Sequence, residues 1–140
     1  MIVRAGARTF VGLLLLGSQN LYAGDAVPLA GTYSSLTFNA EGGDLVGYEV
    51  RIIPTNAGNK ALVQVAEGDA GRVYLVDVVI LTGSIEFDVP LTSSKAGKFT
   101  GQLSVAGLRG SISYPTGVRE SVFLHRGASY WEQGQKNKCR

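Results

Sequence analysis

Phe99-Thr100-Gly101-Gln102-Leu103-Ser104-Val105 and Leu108-Arg109-Gly110-Ser111-Ile112-Ser113-Tyr114 flank the pair Ala106-Gly107. In the first run the odd positions are apolar or glycine and the even ones polar. In the second, Leu108, Gly110, Ile112 and Tyr114 face one way, with Arg109, Ser111 and Ser113 opposite. A period of two sets one row of side chains against a core and the other in water, as in a half-buried antiparallel strand. Two such runs around a glycine-containing turn predict a β-hairpin.

The same alternation recurs outward from this hairpin. Ile85, Phe87 and Val89 oppose Glu86 and Asp88, and Val46, Tyr48, Val50 and Ile52 oppose Gly47, Glu49 and Arg51. No segment sustains a helical period. Eight strands are expected, at 31–38, 45–53, 60–66, 72–81, 84–89, 98–105, 108–114 and 118–126. Their connections are short and rich in turn residues, which favours antiparallel neighbours. A flat meander of this length leaves two open edges, and closure removes them. The expected fold is therefore all-β: a single-domain antiparallel up-and-down β-barrel, with a two-sheet β-sandwich as the alternative. Gly47, Gly101 and Gly110 are expected at sharp bends of a small barrel. The expected inward set comprises Leu36, Phe38, Tyr48, Val50, Ile52, Val63, Val65, Phe87, Phe99, Leu103, Ile112 and Val122.

One strand departs from the pattern. Val73-Tyr74-Leu75-Val76-Asp77-Val78-Val79-Ile80-Leu81 is apolar on both faces, interrupted only by Asp77. Its second face needs a cover, either the chain termini or a second copy in a homodimer through strand 73–81.

The chain ends differ from the barrel region 24–132. Arg4 and Arg8, the apolar run Phe10–Gly17 and Leu21-Tyr22-Ala23 have the order of a secretory signal peptide cut after Ala23. The apolar run is too short to span a bilayer, no second run is long enough, and no lipobox-like cysteine follows. A soluble periplasmic or secreted protein is expected. The whole chain has 13 Lys+Arg and 11 Asp+Glu. Lys136, Lys138 and Arg140 concentrate positive charge in the tail 133–140, which is expected to be disordered, and the body between is slightly acidic. That balance argues against nucleic acid as a partner. The single cysteine, Cys139, excludes an intrachain disulfide and a cysteine-based zinc cluster.

Reactive groups are sparse. His125 is the one histidine, so it would have to be the base for any serine nucleophile, and no Gly-x-Ser-x-Gly elbow occurs. Multi-histidine metal sites are excluded. The densest oxygen-ligand group is Glu41 and Asp44 around Gly42-Gly43, with Glu49 nearby; it is a weak calcium candidate and matches no EF-hand. Glu67 and Asp69 form a second acidic turn. No phosphate loop, dinucleotide fingerprint or haem motif is present, and no cofactor is expected. The most distinctive constellation follows the last strand: Arg126, then Tyr130 beside the only tryptophan, Trp131. Such an aromatic pair grips a ligand or partner at a barrel mouth, or plugs the barrel end as core.

Gly31-Thr32-Tyr33 on the first strand and Arg126 on the last resemble lipocalin-type barrels, in which a Gly-x-Trp and a basic residue pack together at the closed end. Tyrosine replaces the tryptophan here, the family disulfide is absent and the chain is short. The resemblance implies a barrel that carries a small apolar ligand. The residues themselves point to a non-catalytic binding or interaction module for an unidentified protein or small molecule. The alternatives are that lipocalin-like carrier and a hydrolase using paired carboxylates.

Overall fold

The computed structural model describes residues 27–90 and 96–133. The expected signal peptide, Cys139 and all of the tail except Gln133 lie outside them. The strands are β1 (Gly31–Ser34), β2 (Thr37–Asn39), β3 (Asp44–Thr55), β4 (Gly58–Gly68), β5 (Val73–Leu81), β6 (Ser84–Val89), β7 (Gly97–Ser104), β8 (Gly107–Ser113) and β9 (Arg119–Arg126). A short helix, α1 (Tyr130–Gln133), follows. Pairings run antiparallel from each strand to the next between β2 and β9, and β1 pairs with both β3 and β9. The sheet thus closes into an eight-stranded up-and-down barrel, with β2 as one extra strand, and the sandwich alternative is not formed.

Closure rests on a short seam. Only Tyr33↔Arg126 and Ser34↔His125 pair β1 with β9. The Gly127 amide extends the seam by donating to the Thr32 carbonyl at 3.1 Å.

The expected first strand, 31–38, is interrupted rather than continuous. At Ser35 the hydroxyl, not the carbonyl, accepts the Tyr48 amide (3.1 Å). Gly47 lies opposite with φ +113°, and a Cβ there would stand 2.5 Å from the Ser35 carbonyl oxygen. Only glycine fits this interruption. The register against β3 carries through from Tyr33↔Val50 to Phe38↔Leu45. Tyr33 points inward with Val50, so Leu36 and Phe38, at odd offsets from Tyr33, face outward. This corrects the expectation that they line the interior. Leu36 is buried on the outside wall with Leu45, Ala66 and Tyr130, while Phe38 is 54% exposed.

The interior is occupied by side chains. Tyr33, Val50, Ile52, Val63, Phe87, Phe99, Leu108, Ile112 and Leu124 are all buried in one cluster. Phe87 and Phe99 stack at 4.6 Å between centroids. Gly101 and Gly110 are direct register partners, and the Phe99 ring lies over both. A Cβ would meet Phe99 Cζ at 2.5 Å from Gly101 and at 2.8 Å from Gly110. These two glycines therefore make room for a ring. An aromatic laid across bare backbone restores the packing that glycine gives up.

Past Ile52, β3 has β4 as its neighbour and no longer pairs with β1. Pro54 can join the strand there because an edge asks for no donor on its open side. The β3–β4 hairpin consequently extends further than the sequence turn 54–59 implied, with Pro54 paired to Asn59.

Candidate functional site

Arg126 lies at the end of the barrel that residues 27–30 cross. Its Nη1 donates to the Pro28 carbonyl (2.6 Å) and to the Tyr33 hydroxyl (3.3 Å), and its Nη2 donates to the Ala30 carbonyl (2.8 Å). The guanidinium carbon stands 5.5 Å from the Tyr33 ring centroid. Tyr33 in turn donates to the Leu29 carbonyl (2.7 Å). Burial raises the Tyr33 phenol above its ordinary pKa, and the nearby Arg126 cation pulls it the other way. The two residues that carried the lipocalin resemblance do meet. Together they tie the strap 27–30 over the barrel end, and both terminal nitrogens of Arg126 are engaged in that closure.

Tyr130 and Trp131 are elsewhere. They neither rim the mouth nor plug it; α1 folds back onto the outside wall over β3 and β4. The carboxylate of Glu49, only 9% exposed, accepts the Ser129 hydroxyl (2.6 Å) and the Tyr130 amide (2.7 Å). Trp131 Nε1 donates to Gln64 Oε1 (2.8 Å). Tyr130 and Trp131 pack edge to face at 5.2 Å. Tyr130 covers Leu36, Leu45 and Ala66, while Trp131 remains 44% exposed. Arg51, Leu62, Gln64, Val73 and Trp131 line a groove of about 200 Å³ on this wall. Glu49 was grouped with a calcium candidate on sequence; the fold spends it on docking α1. Replacing Glu49 by alanine should free α1 and move Trp131 emission to longer wavelength. The barrel melting point should fall by less than about 5 °C, because the loss is local. Unchanged emission would mean that Glu49 does not hold the helix.

The groove leads onto the outer face of β5. Val73, Leu75, Asp77, Val79 and Leu81 alternate with the inward Tyr74, Val76 and Val78. Leu75 is 65% and Val79 50% exposed, so among the described residues neither terminus covers the second apolar face. Lys60, the register partner of Asp77 on β4, forms an ion pair with it in the middle of this face.

At the end opposite the strap, a polar trio escaped the sequence analysis. The Tyr48 and Tyr114 hydroxyls lie 2.9 Å apart, and Glu120 Oε2 is 3.0 Å from the first and 2.7 Å from the second. Tyr48 is expected to face inward, and Tyr114 to share a face with Leu108 and Ile112; Glu120 shares the parity of the expected inward Val122, but its charge hides that position. Desolvation, then the hydrogen bonds with Tyr114 and Glu120 and the negative charge nearby, raise the Tyr48 phenol well above its ordinary 10.0. A raised folded-state pKa means that the folded protein holds this proton more tightly than the unfolded chain. The stabilisation is complete below pH 10.0, the unfolded value, and is lost as pH climbs beyond it. Alkaline melts should thus show stability falling above about pH 10, with a shallower fall in Tyr48→Phe. Equal slopes in both proteins would rule out Tyr48 as the source. A cleft of about 590 Å³ opens beside this trio between Val76, Val89, Gly97 and Tyr114.

The remaining sequence candidates do not converge. Glu41 and Asp44 lie on the exposed β2–β3 turn, where Asn39 Oδ1 accepts the Glu41 amide (3.1 Å). Among the described residues no three His, Cys, Asp or Glu side chains are placed to hold a metal ion. His125 stacks edge-on against Phe123 at 4.4 Å on the outer wall, and Arg109 lies over the same ring at 4.5 Å. The cross-strand partners of His125 are Ser34 on β1, whose hydroxyl accepts the Leu36 amide at 3.2 Å, and Gly107 on β8. Ser111, four residues along β8 from Gly107, is roughly 13 Å away at the rise of a strand. Comparison with protein-family models, curated proteins and solved structures finds no match to this chain.

Proposed function

We propose that the protein is an exported, non-catalytic interaction module that works through the outside of its barrel. The observation that carries this reading is the inversion of the usual exposure on β5. The interior is occupied by bulky apolar side chains, while Leu75 and Val79 stand in water on the wall. A carrier with an enclosed ligand needs the interior for its cargo. An interaction protein needs an apolar surface, and large apolar patches on a folded wall mark such surfaces. Export is supported by the n-region, apolar run and Ala23 cleavage pattern at the start of the chain.

The test uses chain expressed from Met1. N-terminal sequencing of the exported product should begin at Gly24, and an intact Met1 in the cytosol would refute export. Thermal melts of the mature product with fatty acids and cell-wall sugars should show no shift. A stabilisation of several degrees by a fatty acid would overturn the surface reading in favour of a carrier.

A further inference from the structure

We infer that the β4–β5 wall is covered by a second copy of this chain, related by a two-fold axis that runs parallel to the strands between β4 and β5. The inference rests on the surface reading above and specifies the partner.

An isologous contact needs a self-complementary face, one whose two halves match when the face is turned onto itself. The wall has this property. Register aligns Arg51, Leu62 and Leu75 in one row across β3, β4 and β5. The next row is Ile53, Lys60 and Asp77. One row further, Val79 pairs with Glu86 on β6, where Asp88 follows on the same face. The β3–β4 flank therefore presents Arg51 and Lys60, and the β5–β6 flank presents Asp77, Glu86 and Asp88; Lys60 and Asp77 pair within each copy, and Asp88 lies 3.8 Å from Lys98 on β7. Leu62, Leu75 and Val79 lie along the middle. A two-fold axis along the strands lays β4 over the partner's β5. Lys60 then meets Asp77 of the other copy, and Leu62 meets Leu75, twice over. Turning the axis across the strands would instead set Lys60 on Lys60 and Asp77 on Asp77. Charge selects the first arrangement.

The area is sufficient. Val73, Leu75, Val79, Leu81 and Trp131 are all substantially exposed. Together they leave on the order of 500 Å² of apolar surface in water, the upper range for a monomer. Two such faces bury about 1,000 Å², the lower bound for a specific protein–protein contact. A reversible dimer with a micromolar dissociation constant is the expected strength.

Sedimentation equilibrium of the mature chain should give a monomer–dimer equilibrium, with Trp131 emission moving to shorter wavelength as the dimer fills. Leu75→Asp should give a monomer with an unchanged circular dichroism spectrum. The decisive experiment is charge complementation. Lys60→Glu sets two carboxylates, and Asp77→Lys two ammonium groups, at each place where position 60 of one copy meets position 77 of the other, so each variant alone should be monomeric. Mixed, they should form a heterodimer at least about tenfold tighter than either self-association. Both positions are solvent-facing, and melting curves will verify that each variant is folded. A wild-type chain that stays monomeric at hundreds of micromolar overturns the inference, as does a Leu75→Asp dimer or a mixture no tighter than its parts. A monomer unaffected by fatty acids overturns the second copy while leaving the surface reading intact; a lipid-stabilised monomer defeats both.

Discussion

Phe99→Ala should lower the unfolding free energy by about 4 kcal/mol, the cost of removing a large buried aromatic ring and leaving its cavity. For a barrel of this size that corresponds to a melting point about 15 °C lower, read by calorimetry or circular dichroism. Phe99 has no exposed surface, stacks on Phe87 at 4.6 Å and roofs the Gly101–Gly110 pair. Its loss bares two glycines for which Phe99 is the side chain among the nearest atoms, so filling the cavity requires more than a simple shift of a neighbour. A loss below about 1.5 kcal/mol would mean that the wall relaxes inward, and the rigid-roof picture would fail.

Arg126→Met is the second large effect, with an expected cost of about 2–4 kcal/mol. Hydrogen bonds from a charged donor contribute more than neutral ones, and two strap carbonyls together with the Tyr33 hydroxyl lose theirs. Methionine keeps much of the stem and so separates packing from the guanidinium fork. Arg126→Lys should recover under half of the loss, since an ammonium cannot reach the Pro28 and Ala30 carbonyls with two parallel arms. Hydrogen exchange should localise the damage to residues 28–34 and 124–127. Uniform loosening of the whole barrel would contradict the seam role.

The hairpin 97–113 was legible in the amino-acid sequence because alternation, turn glycine and strand length all agreed. The outward turn of Leu36 was legible in principle. Tyr33 and Leu36 are three residues apart, so an extended chain cannot place both inside. Their shared apolar character concealed that parity, and the cover for Leu36 comes from Tyr130, at the other end of the chain. Glu49 was legible only as a member of the polar face of the strand, because its partners Ser129 and Tyr130 are a fold away. The two-faced character of β5 was visible in composition alone. The charge asymmetry across its wall was not, because it depends on the register that brings Lys60 to Asp77 and Val79 to Glu86. Arg126 could be singled out, but its role in fastening the strap depended on Pro28 and Ala30, which carry no signal of their own.

The join between β1 and β9 also dictates when this chain can finish folding. Tyr33 meets Val50 on one side, but its other neighbour is Arg126, so a growing polypeptide stays an open ribbon until β9 is free. Contacts so distant along the backbone form late and slowly. Ribosome-stalled fragments ending before β9 would expose both lips of the unsealed sheet.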